Sequence, residues 1–413
     1  MHVVMFADQH VESLGGAQVS MRLQRRFLER AGHTVTIVAP RMHRPAPTDA
    51  AYVDLPSVPV TLDREYALSW PGARTDRFVD AALAGRPPVD VVHVQADFWG
   101  AFIGHRYAAR HGLPVVHTMH NRVDVGIEAT APFPGLVLRV LNAWARRVLR
   151  PAVRGAGGSG GSDGWAYLRR LAALSAAVTA PSAHFARRLE AHGAVPRSGD
   201  ASAPGHAAAH GGVDVVWNGI DDDLLDAALA QGTAARRPGR PRFVWIGRMS
   251  PEKRLLPFLE AVATSGIDAE VEVIGGGAQL RAARRLVERA RPVASIRFSG
   301  RMPYAETLAR LSAADAVVQT SVGFETQGMT VFEAASLGTP AVVSDPDIAD
   351  ELGAGVWRVT DATVSALAET LRRAAADIAA GAPVPVDPTI GERFRQSSRT
   401  AAMVEVYARA ARR

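Results

Sequence analysis

Along the chain, short runs of β-branched and other apolar residues alternate with longer stretches whose apolar positions recur every three or four residues. Such alternation is the signature of parallel α/β units, in which buried strands are joined by amphipathic helices. The runs predict strands over 3–7, 34–39, 89–94, 114–118 and 178–180. Between the first two, Val19, Leu23, Phe27 and Ala31 share one side of a helix that Gly32 ends. A second series predicts strands over 243–246, 271–274, 296–298, 316–319 and 340–343, with a last helix over 397–411. The biased segments 155–164 and 197–212 read as loops, and 213–219 as a hinge.

A length of 413 residues exceeds one ordinary core and fits two domains, 1–212 and 213–396. Two parallel α/β halves joined by a hinge would set the carboxyl ends of both sheets around one crevice, where open sheets bind ligands. Composition removes several alternatives. The absence of cysteine excludes disulfides and thiolate metal sites. The net charge of +6 is mixed in sign, with no basic stripe interleaved with aromatics, so no nucleic-acid partner is expected. The start reads as a strand rather than a leader, and no apolar run approaches the roughly 20 residues of a membrane span. A cytoplasmic protein is expected, with a basic membrane-facing patch left open. Among 47 basic side chains Lys253 is the one lysine. A chain that uses arginine everywhere else and keeps one lysine points to a site that needs the compact ammonium.

Three segments carry chemistry. Gly15-Gly16 follows the first strand and opens a helix, a turn that lets a ligand approach the backbone, and it lacks the G-x-G-x-x-G spacing of nicotinamide and flavin enzymes. The 247–253 segment, ending a strand, sets Arg248 and Lys253 where a fork and a point charge suit a diphosphate. In 323–333, Glu325 precedes a helix start at Gly328, Met329 and Thr330, and Glu333 lies on the helix. The carboxylates can accept from sugar or ribose hydroxyls, and the helix N-terminus can hold phosphate. Asp221-Asp222-Asp223 reads as a helix cap more readily than as a metal-binding run. His120 reads equally as a strand-end structural histidine or a ligand contact.

These segments, with Ala31-Gly32-His33, Thr118-Met119-His120, Asn218-Gly219-Ile220-Asp221, Gly275-Gly276-Gly277 and Gly338-Thr339-Pro340, resemble the family 4 glycosyltransferases of GT-B fold. The resemblance implies two Rossmann-like domains facing a cleft, the last helix (397–413) crossing back to the first domain. It implies that Arg248 and Lys253 hold the donor diphosphate with the backbone of Gly16, and that Glu333 binds the ribose. Glu325 and the amides of Gly328, Met329 and Thr330 would hold the transferred sugar, His120 would reach it, and Met302 would face the base. It further implies retention of configuration, no metal and no cofactor beyond the nucleotide-sugar co-substrate, UDP-hexose being favoured and GDP-mannose the alternative.

The Glu325-Thr326-Gln327-Gly328 motif is similar to that of glycosyltransferases acting on diacylglycerol. In 136–154 the apolar Val137, Val140, Leu141, Trp144 and Val148 share one face, and Arg139, Arg146, Arg147 and Arg150 lie away from it. That is the pattern of an interfacial helix and equally of a core helix with a basic solvent face. A membrane lipid acceptor and a peripheral position on the inner face of the plasma membrane are therefore expected. A soluble glycan acceptor, or a GT-B sugar-nucleotide binder or epimerase that transfers nothing, are the competing readings.

Overall fold

Every residue of the first strand, β1 (His2–Ala7), is buried, as a strand covered on both faces must be. The computed structural model describes residues 1–13, 16–61, 63–153, 160–197, 211–230 and 239–412. Gly15, Arg154 and most of the two expected loops (155–159 and 198–210) lie outside the described residues. The described chain forms two α/β units, Met1–Trp217 with Arg399–Arg413, and Asn218–Ser398.

In the first unit β1 is followed by β2 (Thr34–Pro40), β3 (Tyr52–Leu55) and a small antiparallel pair, β4 (Val58–Pro59) and β5 (Ala67–Leu68). Then come β6 (Val91–Gln95), β7 (Val115–Thr118), β8 (Ala177–Ala180) and β9 (Asp214–Val215). Seven of them form a parallel sheet in the order β3-β2-β1-β6-β7-β8-β9. The chain steps outward from β1 to β2 and returns to β6 on the other side, so the order reverses between β1 and β6. Alternation along β1 builds two cores. Val4 and Phe6 join one with Phe102, Tyr167 and Phe185, while Val3, Met5 and Ala7 join another with Met403, Val406 and Tyr407 of the helix Gln396–Ala411. The terminal helix thus forms part of one wall of the first sheet.

The second unit contains β10 (Arg242–Arg248), β11 (Glu270–Gly276), β12 (Ser295–Gly300), β13 (Ala316–Gln319), β14 (Ala341–Val343) and β15 (Val356–Arg358). They form a parallel sheet in the order β12-β11-β10-β13-β14-β15, reversing between β10 and β13.

Several elements differ from the sequence reading. β3, β9 and β15 are only two to four residues long, too short to show a period, and β9 extends the first sheet beyond 212, the expected domain boundary. In the helix Gly16–Arg30 the buried positions are Met21, Gln24, Phe27 and Leu28, and Val19 is exposed. In the helix Pro134–Leu149 the buried positions are Leu138, Asn142, Ala145 and Leu149. Leu141, Trp144 and Val148 flank that stripe and pack against the first core. Trp144 lies edge-on to Phe102 at 5.0 Å and against Trp70 at 5.5 Å, which puts it in the wall of the first core, as the core-helix reading has it. Phe133, Leu136, Val137 and Val140 face outward instead, beside the exposed Arg139, Arg146, Arg147 and Arg150.

Candidate functional site

In the second unit the glycines set the distance between two loops. A Cβ at Gly275, where φ is +126°, would stand 2.0 Å from the carbonyl oxygen of Gly247. One at Gly277 would stand 2.6 Å from that of Met249. The glycine loop after β11 therefore lies directly against the 247–249 backbone, sewn to it by Met249 N–H to Gly276 O (2.9 Å) and Gln279 N–H to Met249 O (3.0 Å). Beyond it, the Lys253 carbonyl accepts from Thr320 Oγ1 at 2.6 Å, and that hydroxyl accepts from buried Trp245 Nε1 at 2.9 Å. These bonds join the end of β10 to the end of β13, across the reversal of strand order where parallel sheets bind ligands.

Lys253 and Glu325 meet there. The ammonium donates to Glu325 Oε1, which also accepts from Ser321 Oγ at 2.7 Å, and Nζ stands 5.8 Å from the Phe324 ring centroid. Side-chain exposures of 24% and 17% leave both groups reachable while shielding the pair from full solvent screening. An incoming diphosphate would compete with Glu325 for the ammonium, leaving the carboxylate to accept from sugar hydroxyls. Arg248 is the exposed arm beside it, its Nη2 3.1 Å from Glu252 Oε1.

Gly328, at φ +81°, caps the helix Met329–Ser336, and a Cβ there would stand 2.8 Å from Ile348 Cδ1. The first-turn amides of Met329 and Thr330 have no carbonyl one turn earlier within the helix. Gln327 is a fastener: its Oε1 accepts from the Asn218 amide and side chain (2.9 and 2.8 Å), and its Nε2 donates to Asn218 O (3.0 Å). Glu333, buried on the helix, accepts from Tyr304 Oη at 2.7 Å, and burial pushes its carboxyl above the usual range despite that bond. Tyr304 thereby ties the Met302 loop to Glu333, and Arg301 Nε lies 3.5 Å from where a Cβ at Gly276 would sit. Neither role was legible from spacing. Asp221 Oδ1 accepts from the amides of Asp223 (3.0 Å) and Leu224 (3.5 Å), as expected of a cap. Among the described residues no group of three or more His, Asp or Glu is placed to hold a metal ion.

In the first unit Gly16 opens its helix, and a Cβ there meets nothing within 4 Å among the described residues, so local packing does not require glycine. His120 follows β7 by two residues. Its Nε2 stands 3.3 Å from Gln95 Oε1, and burial pushes its pKa down to about 4, leaving the ring neutral at pH 7. Gln95 reaches His93 Nδ1 at 3.3 Å, and Tyr407 Oη of the terminal helix stands 2.7 Å from the same nitrogen. Sequence reading overlooked the neighbouring carboxylates, Asp8 after β1 and Asp97 after β6. Asp8 accepts from the amides of Asp97, Phe98 and Gly100 at 2.7 to 3.2 Å and so caps the helix Trp99–His111.

Two family models match in succession, Glycosyltransferase Family 4 over residues 14–199 and Glycosyl transferases group 1 over residues 231–377. The chain is a glycosyltransferase of the family 4 type. Solved structures share its fold over the whole length. HepE from Anabaena in complex with UDP is 15% identical, covering 99% of this chain and 100% of that one at a TM-score of 0.66. Sucrose-phosphate synthase from Thermosynechococcus elongatus is 17% identical, covering 98% of each chain at 0.67. The catalytic domain of starch synthase IV from Arabidopsis thaliana, bound to ADP and acarbose, is 15% identical, covering 100% of each at 0.62. No curated protein matches the chain. The glycosyltransferase fold is GT-B, with each half built on its own parallel sheet.

Proposed function

We propose that this glycosyltransferase moves a hexosyl group from a UDP-sugar to a hydroxyl of a membrane lipid, with retention of configuration and without a metal ion. The observation that carries the donor half is the meeting of Lys253 and Glu325 at the strand-order reversal, beside a glycine loop that presents bare backbone. Arg248 and Lys253 offset the charge that grows on the departing diphosphate, the largest available contribution to catalysis in such a site. Glu325 and the amides of Gly328, Met329 and Thr330 orient the sugar, Glu333 takes the ribose, and the backbone at Met302 faces the base. Gly16 and His120, both in the first unit, are proposed as further donor-binding residues. The bond from the anomeric carbon to the diphosphate oxygen breaks, the acceptor oxygen bonds to that carbon on the same face, and its proton passes to a diphosphate oxygen. The UDP-glucose complex of HepE supports the choice of uridine.

The lipid half rests on the exposed Phe133, Leu136, Val137 and Val140, an apolar ridge bordered by Arg139, Arg146, Arg147 and Arg150. An apolar ridge with basic flanks suits an anionic bilayer, each cation near such a surface contributing about 1 kcal/mol. Among the described residues no helix is long and apolar enough to cross a membrane, and the reading is of a peripheral protein at the inner face. The test is UDP release from UDP-glucose and UDP-galactose with anionic vesicles containing diacylglycerol, and the anomeric configuration of the product by NMR. An α-linked glycolipid is expected. Transfer only from GDP-mannose, or only to soluble glycans, would replace donor or acceptor; inversion would remove the mechanism.

A further inference from the structure

The reversal of strand order in the first sheet, between β1 and β6, has its own polar corner, and its carboxylates are groups that the donor site does not use. Asp8 directly follows β1 and Asp97 follows β6 by two residues, so their carboxyls stand together at the carboxyl end of the sheet. A Cβ at Gly100 would stand 2.4 Å from Ala7 O, so the helix start that carries Asp97 is pressed against the end of β1. Asp8 is satisfied by the three amides it caps. Asp97 is not. Its Oδ2 accepts from Asn121 Nδ2 at 2.5 Å, whereas its Oδ1 is buried and makes no hydrogen bond among the described residues. The residue as a whole is 1% exposed. Tyr167 Oη, from the helix Gly164–Ala172, donates to the Asp97 carbonyl and not to its side chain.

A buried carboxylate oxygen without a partner is destabilising, and folded proteins keep few of them. Here the oxygen lies at the end of the sheet where ligands bind, and the side chain next to it, Asn121, is exposed. We propose that Asp97 is a binding residue for the acceptor, its Oδ1 pairing with a hydroxyl of the alcohol that receives the sugar. A hydroxyl is the fitting partner because it can donate to the carboxylate or accept from the protonated acid. Asn121, holding Oδ2, fixes the direction of the free oxygen, and His120 immediately precedes it on the same loop. Asp8, His117, His120, Tyr167 and Arg170 are among the titratable and charged groups on the elements around this corner. This assignment rests on the proposed transfer to a hydroxyl acceptor and is independent of which hydroxyl compound that is.

The test is the Asp97→Asn variant of the full chain, with Asp97→Ser as a second, smaller replacement. Steady-state kinetics with UDP-glucose and diacylglycerol vesicles are run against each substrate separately, and the rise in Tm caused by UDP is measured alongside. Asp97→Asn should raise the acceptor KM or lower acceptor-dependent kcat/KM by about tenfold or more, the loss of one buried charge-assisted hydrogen bond. The donor KM and the UDP-induced rise in Tm should stay within about twofold, which a merely structural role would not allow. An acceptor kcat/KM within about threefold of wild type overturns the assignment, as does equal damage to donor and acceptor parameters in both variants. If UDP stabilises the wild type and diacylglycerol accepts no sugar, the lipid reading alone fails. Glycerol at molar concentration then serves as the hydroxyl probe in the same comparison, with the same outcomes deciding.

Discussion

Replacing Asp97 by Asn should change how stability depends on pH, by an amount that follows from the burial of this carboxyl. Burial first, and then the charge of Asp8, push its pKa from 3.8 up to about 7, against the lowering effect of Asn121. In the unfolded chain the proton leaves near 3.8, so between there and about 7 the folded protein holds a proton that the unfolded chain has lost. Stability contributed by this group is therefore fully present below 3.8 and is lost as pH rises through about 7. Each unit is worth about 1.4 kcal/mol, and Asp8, itself pushed up to about 6, titrates with Asp97 as a pair. About 2–4 kcal/mol is the expected contribution of removing one member. Asn carries no proton to lose, and its constant offset does not vary with pH. The Tm of Asp97→Asn minus that of wild type should thus widen by about 5–10 °C between pH 4.5 and 8, at roughly 2–4 °C per kcal/mol. His117 and His120, both pushed down to about 4 by burial, act oppositely and make stability rise across the same window. They are common to both proteins and cancel in the difference. Scanning calorimetry at four pH values is sufficient, and a gap constant to within about 1 °C would refute the reasoning.

Other perturbations follow from the second unit. Tyr304→Phe removes the donor from buried Glu333 and should lower stability by about 1–3 kcal/mol in urea unfolding, with weaker UDP binding by calorimetry. Gly275→Ala places a Cβ 2.0 Å from Gly247 O at a positive φ, so it should lower stability by about 2 kcal/mol or more and abolish UDP binding; an unchanged melting curve contradicts the loop contact. On the outer face, Leu136→Ser with Val140→Ser should reduce sedimentation with anionic vesicles at low salt, whereas Trp144→Ser should destabilise the fold; the reverse pattern would mean that Trp144 is the anchor after all.

How far the sequence could be read depended on the range of the interactions involved. Strands buried on both faces, such as 3–7 and 341–343, announce themselves as unbroken apolar runs. Lys253 and Glu325 were legible because each sits in a local pattern, a cation pair after one strand and a glutamate before a helix after another. Asp8 and Asp97 were not, since each looks like an ordinary polar residue at a strand end. Only the parallel pairing of β1 with β6, across a gap of 89 residues, brings them together. Tyr304 is similar, a helix-start residue whose meaning depends on Glu333, 29 positions away. The face of the helix Pro134–Leu149 was misread for a different reason. It carries apolar side chains around most of its girth, so periodicity left two candidate stripes, and the small Ala145 with polar Asn142, held by Arg170, marks the buried one.

The central claim is that the lone lysine grips the donor diphosphate while its partner carboxylate turns to the sugar. Calorimetric titration of UDP and UDP-glucose into wild type, Lys253→Ala and Lys253→Arg tests it most directly. Loss of a charge-assisted contact of about 1.5–3 kcal/mol predicts UDP binding about 10- to 100-fold weaker in Lys253→Ala. The planar guanidinium of Lys253→Arg should not restore it. UDP binding within about twofold of wild type in Lys253→Ala would contradict the account.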